Sequence, residues 1–352
     1  MKNTYDSLVI DSLDGEDYLL LQKLLNRKSF SVKKLVFDVY VELEQLNVEN
    51  WNLQELDVSK LTNLVQLKCK NNELKNLDLS NLHKLEELTY DGATEIKLPA
   101  HRLKSLGYNG PHLPEFRQFA NLHSLSVFNI IENIIDISFF LHLQSFSCES
   151  SKITTLVFPA DCQLKTLNCY HNQITHLDVS KLNLQQLDCS LNKITTLLVN
   201  NPQKLNCSYN QITHLQFESM SNLQEFLCND NLINELNFTT AHALRSLFCA
   251  KNLFAKLDLS NCSELQNLTC SNNKITVLNL HPHCPLQEIY CPGNKLQQLD
   301  LSSYNNLSYL SCFANPVTNQ LKIHSETTNM LAYVDTQQVP AFPKNNRLIE
   351  VN

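Results

Sequence analysis

Apolar residues recur along most of this chain at fixed offsets, and the pattern repeats about every 21 residues. The clearest copy, residues 265–280, reads LQNLTCSNNKITVLNL, and similar copies begin at Leu164, Leu244 and Leu286. The first, fourth and sixth residues of a copy are apolar, which predicts a short strand with these three side chains turned inward. A repeat of fixed length is the signature of a solenoid, in which each repeat packs against its neighbours.

Alignment on the sixth position predicts 15 repeats. The aligned residues are Val48, Cys69, Tyr90, Tyr108, Val127, Cys148, Cys169, Cys189, Cys207, Cys228, Cys249, Cys270, Cys291, Cys312 and Tyr333. The ninth position is asparagine at Asn72 and in every repeat from Asn172 to Asn315, and its amide can pair with backbone groups of neighbouring turns. The four repeats between Asn72 and Asn172 lack it, so we expect residues 89–151 to be irregular, either as degenerate repeats or as a hinge.

The second half of each repeat, I/L-x-x-L-D-L/V-S, predicts the return of the chain on the opposite side. A repeat of this length has no room for a long helix, so we expect extended or 3₁₀ structure there. Asp and Ser, as at Asp178 and Ser180, suit the tight turn that follows.

Both ends of the chain depart from the repeat. We interpret residues 1–42 as an N-terminal cap, with a helix beginning near Ser12 and a strand over SVKKLVFDVYVEL. The array follows over residues 43–336, and residues 337–352 are predicted to be a C-terminal cap or tail. Caps of atypical sequence are expected, because the terminal repeat of a solenoid otherwise exposes its apolar end.

The Leu, Cys, Asn and Ile positions resemble the leucine-rich repeats of bacteria. They are most similar to the repeats of about 21 residues in internalin-like proteins and in effectors of intracellular pathogens. The resemblance covers residues 43–336. It implies an α/β repeat fold, a leucine-rich-repeat solenoid that forms a right-handed superhelix with a parallel sheet on its concave face. It also implies a 3₁₀ or extended convex side and a short N-terminal helical cap.

Composition narrows the class of partner. The formal charge of −7 and the pI of about 5.9 argue against nucleic acid, which attracts clustered Lys and Arg. No apolar run approaches the roughly 18–20 residues of a membrane span. The first residues lack the basic-then-apolar pattern of a secretory leader, and thirteen cysteines indicate a reducing compartment. We therefore expect a cytoplasmic protein, or one translocated into a host cell without a signal peptide.

Cysteine occupies the sixth position in nine consecutive repeats, from Cys148 to Cys312, and also at Cys69. We interpret these residues as small buried hydrophobes, because no C-x-x-C pair or convergent histidine supports a metal site. Disulfides are disfavoured, since parallel side chains of adjacent strands point the wrong way. The string HPHC at residues 281–284 lacks a fourth ligand and is interpreted as a solvated turn. We predict no metal and no cofactor.

No cysteine or serine is accompanied by a poised histidine and acid, and no glycine-rich phosphate loop is present, so we predict no catalytic residue. Function is then expected on the concave face, at the third, fifth, seventh and eighth positions of each repeat. These columns change from charged and small polar residues to aromatic ones along the array. The candidate partner-binding residues are Leu227, Phe248, Tyr290, Tyr309, Phe313 and Tyr170.

The sequence thus predicts a monomeric, non-enzymatic scaffold for protein–protein interaction. Together with the resemblance, it favours a secreted bacterial effector that binds a host protein through its concave face. Two alternatives stay open: a regulator or inhibitor of an enzyme inside the bacterium, and a surface adhesion repeat protein.

Overall fold

A computed structural model describes most of the chain. The described residues are 3–10, 23, 30–38, 42–92, 95–98, 102–113, 119–317, 320–325, 330–341 and 346–351. The chain divides into two compact units, Met1–Gln163 and Leu164–Asn352, called here the N-terminal unit and the C-terminal unit.

The N-terminal unit is built from short parallel strands. They are β1 (Asn3–Ile10), β2 (Phe30–Phe37), β3 (Gln45–Asn47), β4 (Glu55–Asp57), β5 (Gln66–Lys68), β6 (Asn76–Asp78), β7 (Glu87–Asp91), β8 (Glu95–Lys97), β9 (Ser105–Asn109), β10 (Ser124–Phe128), β11 (Ile134–Asp136), β12 (Ser145–Ser147) and β13 (Thr155–Val157). One strand from each repeat joins the main sheet, in the order β3-β5-β7-β9-β10-β12. The return halves pair as β1-β2-β4, β6-β8 and β11-β13.

The C-terminal unit follows the same plan. Its strands are β14 (Thr166–Asn168), β15 (His176–Val179), β16 (Gln186–Asp188), β17 (Thr196–Val199), β18 (Lys204–Asn206), β19 (His214–Phe217), β20 (Glu225–Leu227), β21 (Ser246–Phe248), β22 (Lys256–Leu259), β23 (Asn267–Thr269), β24 (Val277–Leu280), β25 (Glu288–Tyr290), β26 (Leu299–Leu301), β27 (Tyr309–Ser311), β28 (Leu321–Ile323), β29 (Leu331–Val334) and β30 (Arg347–Glu350). Its main sheet runs β14-β16-β18-β20-β21-β23-β25-β27-β29-β30, and a 3₁₀ helix spans Thr336–Ala341. We call the outward side of each main sheet the strand face.

The predicted leucine-rich-repeat solenoid is confirmed. In the repeat quoted above, Leu265, Leu268 and Cys270 are buried between the main sheet and the return strands. The return halves are extended, as expected. The predicted N-terminal helix lies outside the described residues apart from Lys23, which is helical.

A ladder of asparagines joins consecutive turns, as the ninth position predicts. Asn192 Nδ2 donates to the carbonyl of Cys169 in the preceding turn at 2.9 Å and to that of Cys189 in its own turn at 3.1 Å. Its Oδ1 accepts the Ile174 N–H at 3.0 Å. The same three kinds of bond recur at Asn210, Asn231, Asn252, Asn273, Asn294 and Asn315. The ladder therefore pairs backbone groups that would otherwise be buried without partners.

Other side chains replace the ladder over residues 89–151. Tyr90 and Tyr108 take the sixth position in successive repeats and pack edge to face, with ring centroids 5.2 Å apart. At the ninth position Ser151 accepts the Ile130 N–H through its hydroxyl at 3.0 Å. Ser151 thus supplies a backbone partner at one position where the asparagine is missing.

The cysteine ladder is buried, as predicted. All ten of its thiols are buried, and burial raises the pKa of Cys249, for example, to about 12. The interpretation of residues 281–284 as a solvated turn is wrong for one of its members. Cys284 is only 5% exposed, and burial raises the pKa of its thiol to about 11. Cys284 is buried because it turns inward, toward Cys262 of the preceding turn.

The eighth residue of most turns has a left-handed backbone, although nearly all of these residues carry a side chain. Their φ angles lie between 50° and 66°, at Asn50, Asn71, Asn129, Ser150, His171, Leu191, Tyr209, Asp230, Lys251, Asn272, Gly293 and Ala314. A left-handed residue with a side chain costs roughly 1–2 kcal/mol. The stacking of the turns therefore imposes this conformation whatever the residue.

The last predicted repeat is displaced by one residue. The alignment places Tyr333 at the inward sixth position and Ala332 at the fifth. In the sheet, however, Leu310 pairs with Ala332 and Ser311 with Tyr333. Ala332 is buried and Tyr333 faces outward, so the alignment was wrong here. Strand β30 then pairs parallel with β29 and extends the main sheet into the segment predicted to be a cap or tail.

Candidate interaction surface

The six candidate residues all lie on the strand face of the C-terminal unit, and all are half-buried. Leu227 in β20 is the register partner of Phe248 in β21. Thr269 in β23 separates Phe248 from Tyr290 in β25. Leu227 and Phe248 therefore form one apolar pair, a strand away from the aromatic residues that follow.

Three tyrosines form the second cluster, which we call the tyrosine row. Tyr309 stacks on Tyr290 with ring centroids 6.4 Å apart and an interplanar angle of 26°. On its other side it packs against Tyr333, with centroids 5.9 Å apart. Burial raises the pKa of Tyr309, and the neighbouring Tyr333, Tyr290 and Glu288 raise it further.

Ser311 lies at the floor of the tyrosine row. It is the register partner of Tyr290 on one side and of Tyr333 on the other. Its fifth-position side chain points to the strand face, as does that of Phe313 two residues later. Nevertheless Ser311 is 0% exposed, and its hydroxyl has no hydrogen-bond partner within the described ranges.

Tyr170, the remaining candidate, lies apart from both clusters. It follows β14, and the strands β16 and β18 lie between β14 and β20. Its ring packs against that of His171, with centroids 5.8 Å apart. The structure thus brings four of the six candidates into two neighbouring clusters and leaves Tyr170 and Phe313 outside them.

Sequence reasoning missed several residues of this face. Tyr333 was assigned to the core, because the last repeat slips by one residue. Ser311 was read as a solvent-facing position, although its neighbours cover it. Tyr209 and Leu191 are 54% and 38% exposed at the eighth position, and their bulk at a turn position was a signal visible in the sequence.

The strand face of the N-terminal unit has a different chemistry. Lys70 crosses two strands to place its Nζ 4.3 Å from the centroid of the Phe128 ring. Gly107 leaves room for it, since a Cβ there would lie 3.2 Å from Lys70 Nζ and 3.0 Å from Thr89 Cγ2. A cation–π contact of this kind contributes about 0.5–2 kcal/mol, depending on desolvation.

Three carboxylates surround this lysine. Burial lowers the pKa of Lys70, while the charges of Glu49, Asp91 and Glu149 act in the opposite direction. Asp91 also accepts a hydrogen bond of 2.8 Å from the side chain of Asn109. The N-terminal strand face is therefore polar and negatively charged around one seated cation.

The described residues lack two kinds of feature, a metal-binding group and a membrane-spanning helix. They contain no group of three or more His, Cys, Asp or Glu side chains that could hold a metal ion. Across the same part of the chain, no helix has the length and apolar character needed to cross a membrane.

No family model matches the chain, and no curated protein matches it. Several solved structures do. The functional domain of InlJ from Listeria monocytogenes, which also includes a cysteine ladder, is 26% identical with a TM-score of 0.57, covering 83% of this chain and 68% of that one. YopM, a leucine-rich effector protein from Yersinia pestis, is 22% identical with a TM-score of 0.57, over 90% of this chain and 83% of that one.

A leucine-rich-repeat protein of Leptospira interrogans covers 97% of this chain and 89% of its own, at 18% identity and a TM-score of 0.53. The last two similarities concern the fold alone. Together with the parallel turns of about 21 residues, they confirm the resemblance seen in the sequence. The chain thus has a leucine-rich-repeat fold, similar to that of InlJ and of YopM.

Proposed function

We propose that this protein is a non-enzymatic scaffold that binds a partner protein through the strand face of its C-terminal unit. The observation that carries the proposal is the pair of aromatic clusters, Leu227 with Phe248 and the tyrosine row, half-exposed on one parallel sheet. Aromatic anchors on a rigid surface dominate the binding energy of many protein interfaces. The repeat pattern predicts that this face is the concave one.

We further propose that the partner is a host protein and that this chain acts as a monomeric bacterial effector inside the host cell. The described role of YopM as an effector supports this idea by analogy. The cysteines support it physically, because none of the thirteen, all within the described ranges, forms a disulfide, and twelve of them are buried. A core of cysteines without disulfides suits the reducing interior of a cell.

The test uses two single variants, Phe248→Ala and Tyr290→Ala. A partner is captured from host-cell lysate with the wild-type chain, identified, purified and titrated calorimetrically. Each variant is expected to weaken binding by more than about 1 kcal/mol, because it removes an aromatic anchor. The melting temperature should change little, since half-exposed rings contribute less to folding than buried ones.

Tyr209→Ala provides the matched control, because Tyr209 is an exposed tyrosine of the same unit outside both clusters. It should bind the partner as the wild type does. If the control loses as much affinity as the two variants, the clusters are not the binding site. A large fall in melting temperature for Phe248→Ala or Tyr290→Ala would show instead that these rings support the fold.

A further inference from the structure

The floor of the tyrosine row holds an anomaly. A buried hydroxyl normally has a hydrogen-bond partner, since leaving one without a partner destabilises the fold. Ser311 is 0% exposed, yet its Oγ has none among the described residues. Its position in β27 faces the strand face, between its register partners Tyr290 and Tyr333 and two residues after Tyr309. The hydroxyl is therefore available to a group that enters between these rings.

The spacing of the row fits a flat group. Tyr290 and Tyr333 flank Ser311 in register, so they are two strands apart, or about 9.6 Å at the usual spacing. A planar group in contact with a ring on each side needs about 7 Å, twice a normal van der Waals separation. Tyr309 now fills this space, and half-exposed rings reorient rapidly.

The charge around the row favours a cation. Glu288 is the register partner of Tyr309, and Asp335 lies next to Phe313 in the last turn, where it accepts the Ala314 N–H. Tyrosine faces attract cations through their quadrupole, and nearby carboxylates strengthen this attraction. A cation on the same face, Arg347 of β30, is exposed and is separated from Tyr309 by Leu331.

The chain contains the same contact elsewhere. On the N-terminal strand face Lys70 sits over Phe128, with three carboxylates nearby. Among the described residues this is the one cation that lies over an aromatic ring. The tyrosine row has comparable surroundings, with aromatic rings and carboxylates, but no cationic side chain of the described residues lies over its rings.

We propose that the tyrosine row is the seat of an arginine side chain of the partner protein, an inference that rests on the proposed protein-binding function. The guanidinium enters between Tyr290 and Tyr333 as Tyr309 swings aside, and one N–H donates to Ser311 Oγ. The carboxylates of Glu288 and Asp335 supply the complementary charge. Arginine fits better than lysine because its donor group is planar and stacks on aromatic faces.

Two peptides test the proposal on the full-length chain. Each has one central residue flanked by glycine and serine, arginine in the first and citrulline, its neutral planar isostere, in the second. Binding is followed by the shifts of ¹³C-labelled tyrosine rings in NMR titrations. The arginine peptide is expected to bind about tenfold more tightly, in line with a partly desolvated cation–π contact. Equal affinity for the two peptides would overturn the proposal.

Variants locate the site and separate it from the fold. Ser311→Ala should weaken the arginine peptide about tenfold while leaving the melting temperature unchanged or higher, because the lost hydroxyl has no partner in the free protein. Tyr333→Leu should weaken it about as much, and Tyr209→Leu should not. Glu288→Gln should weaken it about threefold at low salt, whereas Glu264→Gln, an exposed acid elsewhere in the unit, should not. Unchanged binding by both Ser311→Ala and Tyr333→Leu contradicts the proposed seat.

This proposal and the proposed function can fail separately. If the captured partner loses affinity with Phe248→Ala but the two peptides bind equally, the scaffold function stands and the arginine seat is wrong. If the arginine peptide binds at Ser311 but the affinity of the partner is unchanged by Phe248→Ala and Tyr290→Ala, the arginine seat is supported and the proposed partner interface is wrong.

Discussion

The two units solve the same structural problem in different ways. In the C-terminal unit one residue type, asparagine, pairs the backbone of every turn from Asn172 to Asn315. In the N-terminal unit Asn72 makes such bonds, but at the ninth position of a later repeat Ser151 stands in place of asparagine and accepts the Ile130 N–H. Backbone groups in both units need partners, but only the periodic solution makes the contribution of each repeat alike. The comparison predicts that equivalent changes have unequal effects in the two units.

The largest difference in stability between the two units is expected at alkaline pH. Burial raises the pKa of the ladder thiols well above that of an exposed cysteine, for example at Cys189, Cys228 and Cys270. Above about pH 8.5 the unfolded chain loses these protons while the folded chain keeps them, so stability falls as the pH rises. In this range each such thiol lowers the free energy of unfolding by about 1.4 kcal/mol per pH unit. The C-terminal unit holds eight of the ten ladder thiols.

Hydrogen exchange measured from pH 8 to 11 checks this expectation, with loss of protection predicted first in the C-terminal unit. As a control, replacing Cys189, Cys228 and Cys270 together by alanine should move the loss of protection to higher pH. Simultaneous loss in both units, unaffected by the triple variant, would mean that other groups govern alkaline unfolding.

Removing one ladder asparagine should lower the free energy of unfolding more than removing Ser151, which stands at the same repeat position in the N-terminal unit. Asn231→Ala leaves the Ile212 N–H and the Cys207 carbonyl without their side-chain partners, for an expected loss of about 3–4 kcal/mol. Ser151→Ala removes the acceptor of the Ile130 N–H and a local bond to the Glu149 carbonyl two residues away, and it should cost about 1–2 kcal/mol. Urea unfolding of both variants gives the difference, and equal losses would contradict a special role for the ladder.

Alanine substitutions at two glycines test whether lack of space or the backbone angle destabilises the fold more. A Cβ at Gly110 would lie 2.8 Å from Tyr108 Cζ, whose ring is buried, so Gly110→Ala should cost about 2 kcal/mol. A Cβ at Gly293 meets the Asn272 side chain, and its φ of 66° is close to the angles that other residues accept at this position. Gly293→Ala should therefore cost only about 1 kcal/mol. Thermal unfolding of both variants measures the order, and a reversed order would show that the backbone angle limits.

The smallest effect is expected on the N-terminal strand face. Lys70→Met keeps an unbranched apolar chain over Phe128 and removes a charge that burial already disfavours, so stability should change by less than about 1 kcal/mol. Lys68→Met, two residues earlier on the same face, is the matched control for loss of charge. A loss above about 2 kcal/mol for Lys70→Met alone, in urea unfolding, would show that the three carboxylates require this cation.

The sequence predicted those features that depend on a residue's own place in the repeat. The parallel strands, the burial of Cys270 and the bonds of Asn192 all follow from position. It could not predict that Lys70 reaches Phe128, because these residues belong to different repeats and their contact depends on the space left at Gly107. Nor could it predict the cover over Ser311, which comes from rings on neighbouring strands.

The single-residue displacement of the last repeat has a consequence for how such a protein changes over generations. Because side chains alternate along a strand, the slip brought a tyrosine to the surface and an alanine to the interior without replacing either residue. Insertion or deletion of one codon between two repeats can therefore change which side chains of a turn are exposed in a single heritable step.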